Sequence, residues 1–453
     1  MLFIIPAILV MLVALINFKK GFLLYLLLQM VWFPDTQLIK IGGSWINLNL
    51  LCAIFFAILY YAKKKKNRKE LEKFPYYYPM LCISVSLLLT SFTSYSGPIS
   101  ELIKAFGLIV MDLIIVYVMW KTINKKEDFE FLFKGITLIV LFACVYIFYE
   151  KITQLNPILD YKITCTSNEF STYRDFQQWD YRGYRCYSIF DHTICACMTF
   201  ALYVALTMFL FVKKRRYSFK LLSLITAALC IPAMFFTQQR TGMVLLFISS
   251  LSIVDFRKKR FWKLIFLAIV GIIIISPFVS DNINLLLSFF SSKAASQVSG
   301  SNALMRFDQL DAVFRIMLNA PLTGLGENFQ AFYKGIYAAR AMGYESLWFE
   351  QMAKHGLLGV MAYIIMIYYS VYKIPKHYKS KYVFYFSLAY WITYTMTSTN
   401  YFRIYFFYAV IFYFIKTSET YRLKHSLYSS VNYARRINQS NYLDENVKTE
   451  AVE

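Results

Sequence analysis

Residues 121–150 read KTINKKEDFEFLFKGITLIVLFACVYIFYE, a lysine-rich connector that gives way to a continuous apolar block over 134–149. Apolar blocks of about 16–25 residues are what a helix uses to cross ~30 Å of hydrocarbon. The same alternation recurs outward in both directions. Toward the N-terminus the blocks are 2–17, 21–33, 46–62, 79–92 and 102–120. Toward the C-terminus they are 188–212, 221–236, 241–255, 261–277, 354–372, 382–397 and 402–416. Hydrophobic residues fill 58% of the 453 positions and charged residues only 16%, which is too apolar for a soluble chain of this length. The short alternating segments of a β-barrel are missing, and backbone groups in lipid must be satisfied within their own segment. The expected fold is therefore all-α, a polytopic transmembrane helical bundle of about 12–13 helices with a partly helical extracytoplasmic loop.

The first two blocks are both short, and they form two spans, one re-entrant hairpin or one span. No basic n-region or small-residue cleavage site precedes Phe18-Lys19-Lys20, so the start does not read as a cleaved signal peptide.

The net charge of +22 follows the connectors rather than any one surface. Basic residues crowd every second connector: Lys19-Lys20, Lys63 to Lys73, Lys121 to Lys134, Lys213 to Lys220, Arg257 to Lys263 and Lys373 to Lys381. The short connectors between them, at 34–45, 93–101, 237–240 and 398–401, hold almost none. That alternation is the positive-inside pattern and places the second set outside. The basic runs orient the chain and meet anionic headgroups, so nucleic acid is not an expected partner. Residues 150–187 and 278–353 then become extracytoplasmic loops of one membrane domain spanning 1–416, and 417–453 a polar cytoplasmic tail. The loops are too short to bury a large core of their own.

Cysteine usage says little. Cys52, Cys82, Cys144 and Cys230 fall within spans, where thiols pack as small hydrophobes. Cys195 and Cys197 open a span with no histidine at metal-ligand spacing, and no metal is expected. Cys165 and Cys186 share the first outer loop, on the oxidising side, where a disulfide and two free thiols are the alternatives.

No soluble-enzyme motif is present: no P-loop, no GxGxxG after a strand, no HExxH and no GxSxG. The chemistry-bearing residues stand at the outer ends of spans instead. Arg240 sits in Thr237-Gln238-Gln239-Arg240-Thr241-Gly242, where an arginine either snorkels or serves a site. Arg306 and Arg315 precede Pro321-Leu322-Thr323-Gly324-Leu325-Gly326 and Phe329. Phe307, Leu310, Val313, Phe314 and Leu318 recur at helical spacing, which predicts an amphipathic helix from near Arg306 to Pro321. The two glycines allow a close backbone approach, for packing or for a ligand. Tyr344-Glu345-Ser346 and Glu350 then lead into Lys354-His355-Gly356-Leu357-Leu358-Gly359 and the next span.

Together these pieces resemble the O-antigen ligase/polymerase superfamily over most of residues 180–365. Three matches carry the resemblance. Gln239-Arg240-Thr241-Gly242 is similar to the family's arginine segment opening a span. Arg306 through Phe329 follows its R-x(8)-R-x(5)-P-L-x-G-x-G-x-x-F pattern, which includes R-x(10)-G from Arg315 to Gly326. Glu345-Ser346 with Gly356-Leu357-Leu358-Gly359 matches its acid- or histidine-bearing stretch. Lipid A–core ligases place a histidine where this chain has Glu345, and the glutamate resembles the polymerases of O-antigen, capsule and exopolysaccharide. The first outer loop lacks the second R-x(10)-G run of some polymerases, but carries Arg182, Arg185 and Asp191-His192 before a span.

The resemblance implies a bacterial inner (plasma) membrane enzyme that joins polyprenyl diphosphate-linked oligosaccharide units on the extracytoplasmic side. Chain-length regulators and flippases are then the implied partners, and no cofactor is implied. Arginines suit such a donor because a planar guanidinium grips phosphate oxygens bidentately and offsets charge on a departing diphosphate without a metal. Arg240, Arg306 and then Arg315 are the expected diphosphate ligands. Glu345 is the expected base for the acceptor hydroxyl in a single inverting displacement, and Arg182, Arg185 and His192 are candidate acceptor contacts. A ligase is the alternative within the family. A lipid-linked oligosaccharide flippase is the alternative from another class. Asp112, the clearest intramembrane acid, would be its mark, but no internal repeat accompanies it and it reads as a packing or water-cavity residue.

Overall fold

The computed structural model describes residues 4–30, 37–41, 44–63, 74–164, 184–212, 219–252, 303–329, 346–397 and 404–418. The expected span at 261–277, Cys165 and with it the pairing of Cys186, Arg182, Glu345, and the tail beyond residue 418 lie outside them.

The chain begins with α1 (Ile4–Ile16) and α2 (Phe18–Leu28), separated only by Asn17. Asn17 leaves helical geometry and accepts a hydrogen bond from the Lys20 N–H at 3.1 Å, capping α2. A Cβ on Gly21 would stand 2.5 Å from Ala14, so the two helices close into a tight hairpin that only glycine permits. Neither reaches across a bilayer at ~1.5 Å per residue, so the hairpin reading of the first two blocks fits better than two full spans. A small β-hairpin follows, β1 (Gln37–Ile41) antiparallel to β2 (Ser44–Asn47), where only a connector was expected.

The remaining described elements are helices: α3 (Leu48–Lys63), α4 (Tyr77–Thr90), α5 (Pro98–Thr122), α6 (Lys126–Thr153), α7 (Pro157–Thr164), α8 (Thr193–Val212), α9 (Lys220–Phe236), α10 (Thr241–Ser250), α11 (Ala303–Met317), α12 (Leu347–Tyr378), α13 (Lys381–Thr395) and α14 (Ile404–Lys416). The fold is an all-α polytopic membrane bundle. Four of these helices, α5, α6, α8 and α12, are long and apolar enough to cross a membrane alone. Within its apolar window α8 is 83% buried, while α12 is 28% buried. The first is a central mast, apolar on all sides because all sides face protein. The second turns Leu357, Met361 and Ile364 outward, as a lipid-facing helix must.

Aromatic residues, 19% of the chain, build much of this interior. Phe209 of α8 meets Phe386 and Phe414 at 5.9 and 5.4 Å, and Tyr390 stacks on Phe407 at 3.9 Å. Such contacts give helices in lipid the dispersion that water exclusion does not supply there.

Side-chain bonds gather the helix ends into two sets. At one end Lys416 donates to the carbonyls of Trp120 and Ile123 and to Asn124 Oδ1, and Lys19 pairs with Asp128 at 2.7 Å. At the other, Ser346 Oγ donates to the Thr395 carbonyl at 3.0 Å and Gln239 Nε2 to Thr193 Oγ1 at 2.8 Å. The Cys186 N–H reaches the Phe236 carbonyl at 3.1 Å in that same set. The candidate site lies at this second end.

Candidate active site

The two glycine motifs are one structure. Pro321 to Gly326 lies along the first turns of α12, and the two stretches exchange backbone hydrogen bonds. Leu325 N–H donates to the Ala353 carbonyl at 3.0 Å and Gly326 N–H to the Lys354 carbonyl at 2.9 Å. In return Leu357 and Leu358 donate to the carbonyls of Pro321 and Leu322 at 2.9 and 3.0 Å. Helical residues cannot normally spare these groups. Gly356 frees them by breaking the helix with φ +59° and ψ −152°, a conformation only glycine holds without strain. Gly324, at φ +71°, presses on the Lys354 carbonyl so closely that a Cβ would clash with it. The close approach anticipated for this turn is therefore made to protein.

Burial of this crossing brings four ionisable groups together. Lys354 Nζ lies 2.6 Å from both Glu327 Oε2 and Glu350 Oε1. His355 Nε2 stands 3.6 Å from Glu327 Oε1, and its Nδ1 is 3.1 Å from Thr90 Oγ1. Burial by itself pushes the Glu327 carboxyl up, but the Lys354 ammonium and His355 outweigh it and hold the group well below the usual carboxylate range. Glu101 secures the turn from α5, accepting from Glu327 N–H at 2.8 Å and from Ser94 Oγ at 2.9 Å.

The first outer loop supplies the opposite wall. Glu150, fully buried at the end of α6, accepts from the N–H groups of Tyr187 and Ser188 at 3.0 and 2.6 Å. This anchor carries the chain to Asp191 and His192 just before α8. His192 Nδ1 accepts from Ile194 N–H at 3.1 Å, so its proton is on Nε2. Burial, with Arg185 nearby and Asp191 opposing, pushes His192 down to about 4, so it is neutral at physiological pH. The Arg240 turn docks on the same place through Gln239 and Thr193, and Gly242 fits against Cys197 where a Cβ would lie 2.5 Å from Sγ. Arg240 itself forms the N-cap of α10.

The two arginines of α11 diverge. Arg306 donates to Gln309 Oε1 at 3.1 Å, and Gln309 is fully buried against the site-side face. Arg315 pairs with Asp311 at 3.0 Å, with both side chains more than half exposed. Nine residues at ~100° each place these arginines on opposite sides of the helix. The buried stripe of α11 is Gln309, Ala312, Val313 and Ile316. Of the apolar residues that recur at helical spacing, Phe307, Phe314 and Leu318 are exposed. Glu350, inside the bounds expected for the second outer loop, lies instead in the first turn of α12 as a buried partner of Lys354.

One cavity of 320 Å³ joins the two walls, reached by Asp191 from one side and by Glu327, Lys354 and His355 from the other. The helices that frame this end, α9 through the first half of α12, are where comparison with known families finds agreement. Residues 225–364 match the O-antigen ligase family. The matched stretch includes Arg240, Arg306, the glycine crossing and Glu345. It supports the O-antigen ligase/polymerase superfamily, and with it ligase- or polymerase-type glycosyl transfer in polysaccharide synthesis on a lipid-linked oligosaccharide at a membrane. Asp191 and the Glu150 anchor lie N-terminal to the O-antigen ligase match and are brought to it only by folding. No curated protein matches the chain.

Sequence reading passed over Glu327, Lys354 and Glu101. The signal for the first two was there: both stand inside the quoted glycine motifs. Nothing in the sequence linked Glu101 to Glu327, 226 positions away.

Proposed function

We propose that the protein is a polymerase that joins polyprenyl diphosphate-linked oligosaccharide repeat units into O-antigen, capsule or exopolysaccharide, on the extracytoplasmic side of a bacterial inner membrane. One observation carries the reading: Arg240 stands in the turn that joins α9 to α10, and an apolar groove runs between those same two helices. The groove has a volume of 290 Å³ and is lined by Ile231, Met234, Phe235, Met243, Leu246 and Phe247, with Ser250 its one polar residue. A cation in the turn between two helices that form a hydrocarbon slot suits a ligand with a diphosphate head and an isoprenoid tail. Arg306 is the second diphosphate ligand in this proposal, and Arg315, on the opposite side of α11, is left out of it. Glu345, immediately before the Ser346 N-cap of α12, is the base that accepts the acceptor hydroxyl proton as oxygen attacks the anomeric carbon. The bond to the diphosphate breaks as the new glycosidic bond forms, and the lipid diphosphate leaves.

The description of the matched family favours a second reading, transfer of a finished glycan to a different acceptor. Purified protein in nanodiscs, given only the polyprenyl diphosphate-linked repeat unit, separates the two. A polymerase yields a ladder of lengths on a gel. A ligase yields no growth until a second acceptor is added. No product under either condition defeats both.

A further inference from the structure

The cavity that joins the two walls runs inward between α4, α5, α12, α13 and α14, past Asp112. Asp112 sits in a π-helical turn, Ile109–Ile114, that interrupts α5 within its apolar span. Polar groups at such a depth, on such an irregularity, generally serve a ligand or a water path. Tyr363, Trp391 and Tyr394 form an aromatic wall, with the last two rings 5.1 Å apart.

Besides Ser86 Oγ, two polar atoms of residues lining the cavity have no hydrogen-bond partner among the described residues. One is the amide oxygen of Gln351, a residue 3% exposed; the other is the indole N–H of Trp391, a residue 6% exposed. Native interiors rarely leave such atoms unmet. An acceptor and a donor left open together mark the place of an occupant that can both give and take hydrogen bonds. The charge balance narrows its class. Among the described lining residues, the acids Asp112, Asp191 and Glu327 face Lys354 and His355, both already engaged by Glu327 and the first also by Glu350. That wall repels a diphosphate and accepts hydroxyl groups.

We propose that this cavity seats the acceptor sugar. A pyranose there donates hydroxyls to the Gln351 amide oxygen and to Asp112, and accepts from the Trp391 N–H. Its C–H face lies on the aromatic wall, whose electron-rich ring faces attract weakly positive hydrogens. The inference rests on the glycan-transfer reading above and deepens it by dividing the substrate: sugar in the cavity, diphosphate outside it at Arg240.

The test uses the full chain in nanodiscs and two readouts. The first is binding of lipid-free repeat-unit oligosaccharide, released by mild acid from the native host's lipid pool, followed by calorimetry. The second is chain growth from the lipid-linked repeat unit. Gln351→Leu and Trp391→Phe remove an amide oxygen and an indole N–H that have no partner among the described residues, so thermal stability should hold while oligosaccharide affinity falls at least tenfold. Chain growth should fall with it and recover at higher substrate concentration, which a merely structural defect would not allow. Wild-type affinity in both variants, or no oligosaccharide binding by an actively polymerising wild type, would overturn the subsite; the cavity would then hold water only. Gln351-dependent binding by a wild type that grows no chains would uphold the subsite and overturn the polymerase reading instead.

Discussion

Lys354 Nζ lies 2.6 Å from Glu327 Oε2, which ties the glycine turn that ends at Gly326 to the helix it crosses. The same ammonium holds Glu350 at 2.6 Å, so one buried lysine offsets two carboxylates. Replacing it by methionine preserves the packing of the stem but leaves both acids without their cation. Breaking a buried pair this way costs about 3–5 kcal/mol. Lys354→Met should therefore show a large drop in thermal unfolding temperature in detergent. Glu350→Gln, which leaves Lys354 with Glu327, should be intermediate. Wild-type melting of Lys354→Met would mean that the triad contributes nothing.

Three glycines with positive φ separate strain from collision. Gly324→Ala and Gly356→Ala place a Cβ 2.4 and 2.7 Å from neighbouring backbone, at Lys354 and Gly324 respectively. Gly97, at φ +86°, has nothing within 4 Å of the same position. Alanine at Gly97 should cost only the conformational term, about 1–3 kcal/mol. The other two should lose most folded protein from the membrane fraction, measured by fluorescence-detected size exclusion.

Acid should act on the fold in two stages. His192, pushed down to about 4, stays neutral in the folded protein while its unfolded counterpart protonates near 6.5. Stability should therefore decline as pH falls from 6.5 toward 4, and His192→Asn should flatten that decline. Glu327 is held below the usual range, so its contribution is present above the unfolded carboxylate pKa. It should be lost only at still lower pH, as the carboxyl protonates in the fold. Melting temperatures across this range, with and without His192→Asn, give the two stages separately.

Arg240→Ala and Arg306→Ala should abolish polymer while the protein remains in the membrane. Lysine should rescue poorly, because a point charge does not reproduce the bidentate fork. Arg315→Ala should stay within about twofold of wild type, since an exposed i,i+4 pair contributes only ~0.3–0.5 kcal/mol. Polymer yield normalised to membrane protein level is the measurement, and equal loss at all three positions would contradict the separation seen on α11.

Glu345→Gln keeps shape and polarity but cannot take a proton, so turnover should fall by roughly 10²–10⁴. Histidine at that position should retain more activity than glutamine because it also accepts a proton. Full yield from Glu345→Gln, in cells lacking the native copy, would defeat the base assignment and direct attention to Asp191 and His192.

The bundle was legible in the sequence because hydrocarbon imposes a length and a composition on every crossing segment, and residues 134–149 meet both without reference to any neighbour. The glycine motifs were legible for a similar reason: Gly324, Gly326 and Gly356 mark conformations that other residues hold only under strain. Partnership was not. The register in which Gly324 crosses Gly356, the burial of Glu350 and the opposed directions of Arg306 and Arg315 depend on which faces meet, and a single helix carries apolar residues on more than one face. Phe307, Phe314 and Leu318 show it, apolar and at helical spacing yet exposed. The sequence by itself determined that the chain is a bundle of apolar helices and which residues are available at their ends. Only the tertiary structure decided that Glu101, Asp191, Glu327 and Lys354 converge, because long-range packing between helices, not local propensity, sets which buried charges find one another.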